Sequence, residues 1–184
     1  YIFAIHVPIA GISLIPVLFN MPLVLLPVHI VFLELIIDPA CSIVFESEKE
    51  EPDVMRRPPR KRDEGLFTQR NLAFGLLQGF VVLAVILVIY LAACARGLSG
   101  DEVRTLTFTT IVVANLGLIL TNRSWSATIV TSIATPNRAL SYVVAGTIAC
   151  LLLVLYVPHL QVLFRFAAIS PAALFACIVA GGVS

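Results

Sequence analysis

Two acidic residues, Glu34 and Asp38, lie inside the long apolar stretches of this sequence, and no other acid does. A spacing of four puts both on one face of a helix. A carboxylate near the centre of a bilayer costs at least about 2.5–3.5 kcal/mol unless it is paired, protonated or hydrated. Carboxylate oxygens suit hard cations such as Ca²⁺, Mg²⁺ or Mn²⁺, and protonatable acids equally suit a proton path. The plainer reading is a hydrogen-bonded pair that only joins helices. Two acids on one face are better accounted for by a cation site.

Pro39 follows Asp38 directly, cannot donate to the carbonyl of Leu35, and is expected to loosen the helix there. Freed carbonyls at membrane depth are tolerated where they face a cavity or an ion, although an ordinary proline kink needs no ligand. Pro8 and Pro16 should likewise release the carbonyls of Ala4 and Ile12, and His6 sits within a turn of the first break. That histidine is read equally as a ligand or proton carrier and as a hydrogen-bonded packing residue. Asn115, polar within another apolar stretch, is read as cavity lining or as glue between helices.

The elements that must position these residues follow from composition. Of 184 residues, 59% are hydrophobic and 12% charged, and the mean hydropathy is +1.01, which excludes an ordinary soluble domain. A spanning helix needs about 20 mainly apolar residues, and such stretches occur at about 2–19, 23–45, 71–95, 105–121, 139–157 and 165–182. The expected fold is all-α, a polytopic bundle of six transmembrane helices. The break at Asn20-Met21-Pro22 reads as a tight hairpin, and 46–70 as a long charged loop.

Orientation follows from the excess of Lys and Arg in cytoplasmic loops. The 46–70 loop holds Lys49, Arg56, Arg57, Arg60, Lys61, Arg62 and Arg70, and the loop after the fourth span holds Arg123 and Arg138. The other side keeps Arg96, Arg104 and Arg165, so the loop and the C-terminus are expected inside, most simply at a plasma or inner membrane. Phe67, Tyr90, Trp125 and Tyr156 are candidate interface anchors, read equally as lipid-facing or core residues. Cys41, Cys94, Cys150 and Cys177 stand singly in apolar runs and read as buried thiols. The sequence opens at Tyr1 in an apolar run with no basic leader, so a natural chain continuing upstream is expected.

The string Leu26-Pro27-Val28-His29, leading into Glu34-Leu35-Ile36-Ile37-Asp38 and Phe45-Glu46, is followed by Glu51-Pro52-Asp53-Val54-Met55-Arg56-Arg57-Pro58-Pro59-Arg60. Over nearly the whole chain this resembles the last six helices of P-type cation-transporting ATPases, close to the calcium-pump branch and its bacterial relatives. The resemblance implies that the six spans correspond to the family's fifth to tenth helices, with the Pro-Asp-x-Met-x-Arg-Pro-Pro-Arg string between the sixth and seventh. It places Asp38 on the aspartate that binds transported cation, and Glu34 where calcium pumps usually carry an asparagine ligand. Ile37 stands for their threonine and Pro39 for their glycine. His6 and Ile9 match positions that are Asn and Glu in calcium pumps, and Asn115 an eighth-helix position that is acidic in some of them.

The resemblance implies a transported cation, expected to be divalent, at Glu34, Asp38, His6 and Asn115, with Mg-ATP used only in domains outside this sequence. The partners implied are the lipid bilayer, with no nucleic acid, and the actuator, phosphorylation and nucleotide-binding domains and first four helices of the same parent chain. The phosphorylation and nucleotide-binding motifs are absent from these 184 residues, which alone are not expected to hydrolyse ATP. The alternative is a stand-alone membrane protein, either a secondary transporter or a non-catalytic scaffold. An intramembrane aspartyl protease needs two facing aspartates, and only Asp38 is available.

Overall fold

The computed structural model describes residues 1–48, 54–56, 69–123 and 137–183. Most of the 46–70 loop, with Phe67, and the segment holding Trp125 lie outside these residues, as does the side chain of Cys41. Every regular element described is helical: α1 (Ile2–Leu18), α2 (Pro27–Pro39), a π-helical turn (Ala40–Val44), a 3-10 turn (Val54–Arg56), α3 (Gln69–Ala95), α4 (Gly100–Thr121), α5 (Arg138–Tyr156), α6 (Pro158–Phe164) and α7 (Pro171–Val183). The all-α expectation is met. Four helical stretches are long and apolar enough to cross a membrane: Pro27–Val44, Gln69–Ala95, Gly100–Thr121 and Arg138–Tyr156. α1 and α7 are apolar but shorter, and the 13 residues of α7 rise about 20 Å against a hydrocarbon core of about 30 Å.

Local chemistry explains where the helices depart from the expected stretches. The second begins only at Pro27, the favoured first helical position, because Met21–Leu26 is not helical. The fourth begins five residues early at Gly100. There Ser99 accepts from the Glu102 amide and Glu102 answers by accepting from the Ser99 amide, a reciprocal cap that carries Arg104 into the helix. The last apolar stretch is broken: Arg165 turns left-handed (φ 50) to end α6, and the chain re-enters a helix at Pro171.

α4 is the central helix, buried over most of its surface. Its threonines hold their hydroxyls inside: Thr107 donates to Val103 O, Thr109 to Thr105 O and Thr110 to Leu106 O, at 2.7–2.9 Å. Backbone carbonyls one turn back thus satisfy groups that lipid cannot. Small residues let α4 and α7, and α1 and α3, approach closely. The freed carbonyl of Ala4 does not open towards a site. It abuts Gly79 of α3, where an added Cβ would stand 3.0 Å from it and 2.8 Å from Val7 Cβ.

At Gly181 an added Cβ would stand 2.9 Å from Thr110 O and 3.0 Å from the Ala114 amide nitrogen, both backbone atoms that cannot give. Gly181→Ala is therefore expected to destabilise the protein by about 1–3 kcal/mol through overpacking. Gly146→Ala, in α5 with open space around it, should instead gain up to about 1 kcal/mol of helix propensity. Thermal denaturation midpoints of the two variants in one detergent check the opposite signs.

The ends of the helices are tied by two polar clusters. At one end Arg104 donates to Leu23 O, Arg165 O and Asp101, while Thr105 Oγ1 accepts from the Ala167 amide. His29 belongs there too: its Nδ1 accepts from the Leu26 amide and its Nε2–H donates to Phe164 O, both at 2.9 Å. The ring is buried among Phe108, Phe164 and Phe166. Tyr90 is a core residue of this end and not an interface anchor, since its ring is buried and its hydroxyl donates to Pro22 O. At the opposite end Glu48, Arg123 and Asn137 meet. Segments expected on one side of the alternation thus converge at one end.

Candidate functional site

Glu34 and Asp38 stand one turn apart on α2 and line the same groove, of about 450 Å³, with Val28, Val31, Phe32 and Leu35 of α2 and Phe164 of α6. Glu34 is half-buried and Asp38 exposed. Neither carboxylate has a hydrogen-bond or ion-pair partner among the described residues. The rest of that helix face is apolar, so the two acids are the polar content of an otherwise greasy groove.

Pro39 has the effect its chemistry demands. It cannot donate to Leu35 O, and the next turn widens into the π-helical Ala40–Val44, with the Phe45 amide reaching Ala40 O at 3.3 Å. Ser42 Oγ donates to the Asp38 carbonyl at 2.7 Å. The helix is therefore loosened directly after the acid, with one carbonyl, Leu35 O, that proline cannot reach.

The other two candidates stand apart. His6 is exposed on α1 and turns its Nδ1 back to Ile2 O at 2.9 Å, and it does not line the groove. Asn115 is fully buried in α4, and neither its Oδ1 nor its Nδ2 has a hydrogen-bond partner. A buried, unpaired amide costs about 1–3 kcal/mol, so this side chain is placed against the local energetics. No three His, Cys, Asp or Glu side chains converge among the described residues. Cys94, Cys150 and Cys177 are free thiols.

Several polar residues that tie the helices together carry no signal in the sequence. Arg104 read as a loop charge and His29 as part of a string, yet both are buried. The Glu48–Arg123 pair joins residues 75 positions apart. Only Asn137 had a local signal, as an amide just ahead of an apolar helix, and it does cap α5 by accepting from the Leu140 amide.

Comparison with known proteins shows the family of the chain as a whole. The family described as "Cation transporting ATPase, C-terminus" matches residues 22–184. The calcium-transporting ATPase of Bacillus subtilis (strain 168) is 30% identical over 173 residues, which are 93% of this chain and 19% of that protein. Calcium-transporting ATPase type 2C member 1 of Homo sapiens is 26% identical over 170 residues, 91% of this chain and 18% of its own length. Calcium-transporting ATPase 1 of Schizosaccharomyces pombe is 28% identical over 171 residues, 91% and 19% respectively. The chain thus spans under a fifth of the length of these relatives. An all-helical apolar bundle matched over residues 22–184 belongs to the C-terminal domain family of the cation-transporting ATPases.

Proposed function

We propose that this chain is the cation-translocating membrane part of a P-type pump, and that Glu34 and Asp38 are ligands of the transported ion. The observation that carries the proposal is the pair of unpartnered carboxylates on one face of α2, opening into a single apolar groove. Two such acids at membrane depth call for a compensating charge, and a cation supplies it. Among the described residues the groove is lined by α2 and Phe164 of α6, so a full ligand set would draw on helices outside this sequence. The names of these relatives specify calcium, and a divalent cation is what we carry to this chain. ATP hydrolysis belongs to domains outside it.

α1 to α5 and α7 cross the bilayer six times in all, with α1, α2, α3, α4, α5 and α7 alternating in direction, and the Glu48 end lies in the cytoplasm on the positive-inside argument. Asn115 faces the translocation path from α4, because an unpaired buried amide is relieved by an ion or its water. His6 carries a counter-transported proton or lines the path on α1.

Two in-span carboxylates balance one divalent charge without a third acid from this half. In the full-length protein, phosphorylation from ATP should require a divalent cation and vanish with chelator. Equilibrium binding should give one tightly bound divalent ion per polypeptide. Absence of cation-dependent phosphorylation would overturn the transport reading. Two tightly bound Ca²⁺ ions would overturn the one-ion site.

A further inference from the structure

We infer that Glu48, clasped by Arg123 and Asn137, is a positioning residue that sets the rotational register of the π-helical turn and through it the placement of Asp38 and Glu34. The inference rests on the transport reading above and adds residues which that reading does not use.

The need for such a device comes from the backbone. An α-helix fixes its own rotation through amides that each reach four residues back. Here that ladder is weakened twice in succession: Pro39 leaves Leu35 O without its donor, and the next turn closes five residues back instead of four. One residue more or less in a turn rotates everything beyond it by about 100°. The helix's own hydrogen bonds therefore hold the turn after Asp38 less tightly than the turns before it. Something outside α2 must fix it.

The clasp does this from both backbone and side chain. Asn137 Nδ2 donates to Val44 O, the last carbonyl of the π turn, at 3.3 Å, and to Glu48 Oε1 at 2.6 Å. Arg123 Nε donates to Glu48 Oε1 at 2.5 Å and its Nη2 to Oε2 at 3.3 Å, a two-point grip that restricts carboxylate rotation. The Arg123 side chain is 1% exposed and that of Glu48 18%. At this burial the pair is shielded from the solvent screening that makes surface ion pairs weak. The clasp is itself anchored, since Asn137 Oδ1 caps α5 and Arg123 follows the end of α4. Beneath it, Ala40 and Val44 pack with Ile119, and Phe45 meets Tyr1 edge-on at 5.0 Å. The end of α2 is thereby referred to α1, α4 and α5 at once.

A merely structural clasp and a positioning clasp differ in what their loss does. The test measures phosphorylation of the full-length protein from ATP against Ca²⁺ or Mn²⁺ concentration, with hydrogen exchange of segment 40–47 followed in parallel. Glu48→Ala is expected to raise the half-maximal cation concentration about tenfold, the low end of what losing a group that orients a ligand costs, with the maximal phosphoenzyme level within about twofold of wild type. Exchange across 40–47 should quicken in the same variant. Glu48→Gln keeps an oxygen for Arg123 Nε and Asn137 Nδ2 but turns an amide N–H towards Arg123 Nη2, and should return both readouts in part. Faster exchange with an unmoved half-maximal concentration would overturn the inference, and so would a lower maximum at unchanged half-maximal concentration. A wild-type protein with no cation-dependent phosphorylation would overturn the transport reading and this inference with it. A responsive wild type beside an unmoved Glu48→Ala overturns the clasp alone.

Discussion

Asp38→Asn and Glu34→Gln in the full-length protein are each expected to cut cation-stimulated phosphorylation by about a hundredfold or more at limiting ion, because each removes one of the two proposed ligand charges while preserving shape. The two acids are unpartnered in the groove they share, so neutralising either one leaves no protein group stranded. It also removes a charge that is costly at membrane depth. Folding and function should consequently separate: thermal stability of the metal-free variants should equal or exceed that of wild type while ion dependence is lost. If both variants keep wild-type ion dependence, these carboxylates are not ligands. If stability falls together with activity, they are structural.

Arg104→Ala should have the largest effect on stability of any single change at the end opposite Glu48. The guanidinium is buried and donates to Leu23 O at 3.1 Å and Arg165 O at 3.0 Å, carbonyls from the α1–α2 and α6–α7 connections. Its third partner, Asp101, has a side chain that is 55% exposed, and such a pair contributes at most about 1 kcal/mol. The two charge-assisted bonds to carbonyls decide the matter, and their loss should cost about 3 kcal/mol or more. Asp101→Ala should therefore be mild where Arg104→Ala is severe, a contrast read from denaturation midpoints of the two variants in detergent. Equal effects would mean that the ion pair, and not the carbonyl ties, holds this end.

The parts of this structure legible in the sequence are those with a local cause. Apolar length announced the helices, and a four-residue spacing put Glu34 and Asp38 into one groove. Pro39 announced the weakened turn after Asp38, although proline alone does not say whether a helix kinks or widens, and here it widens into a π turn. The rest depends on residues far apart in sequence. The Ser99–Glu102 spacing is a local signal that α4 starts early and takes in Arg104, but nothing near Arg104 says that it reaches loops 61 and 81 positions away. A mean over the stretch 165–182 hides the left-handed Arg165 and the restart at Pro171, which hydropathy does not register. His6 and Asn115 were read by type as possible site residues, yet type gives no direction: one turns back on its own helix and the other is sealed inside.

α2 is pinned like a beam at both supports. His29 fastens its first turn to Phe164 O through a ring enclosed by phenylalanines, and the Glu48–Arg123–Asn137 clasp fastens the segment beyond its last. A piston stroke along the axis would have to break both fastenings at once, whereas a twist localised in the wide turn between Asp38 and Phe45 spares His29 and the Glu48–Arg123 pair and strains the 3.3 Å bond from Asn137 Nδ2 to Val44 O. Any motion of the end of α2 between these fastenings is then torsional, and its amplitude is bounded by the slack of a single five-residue turn.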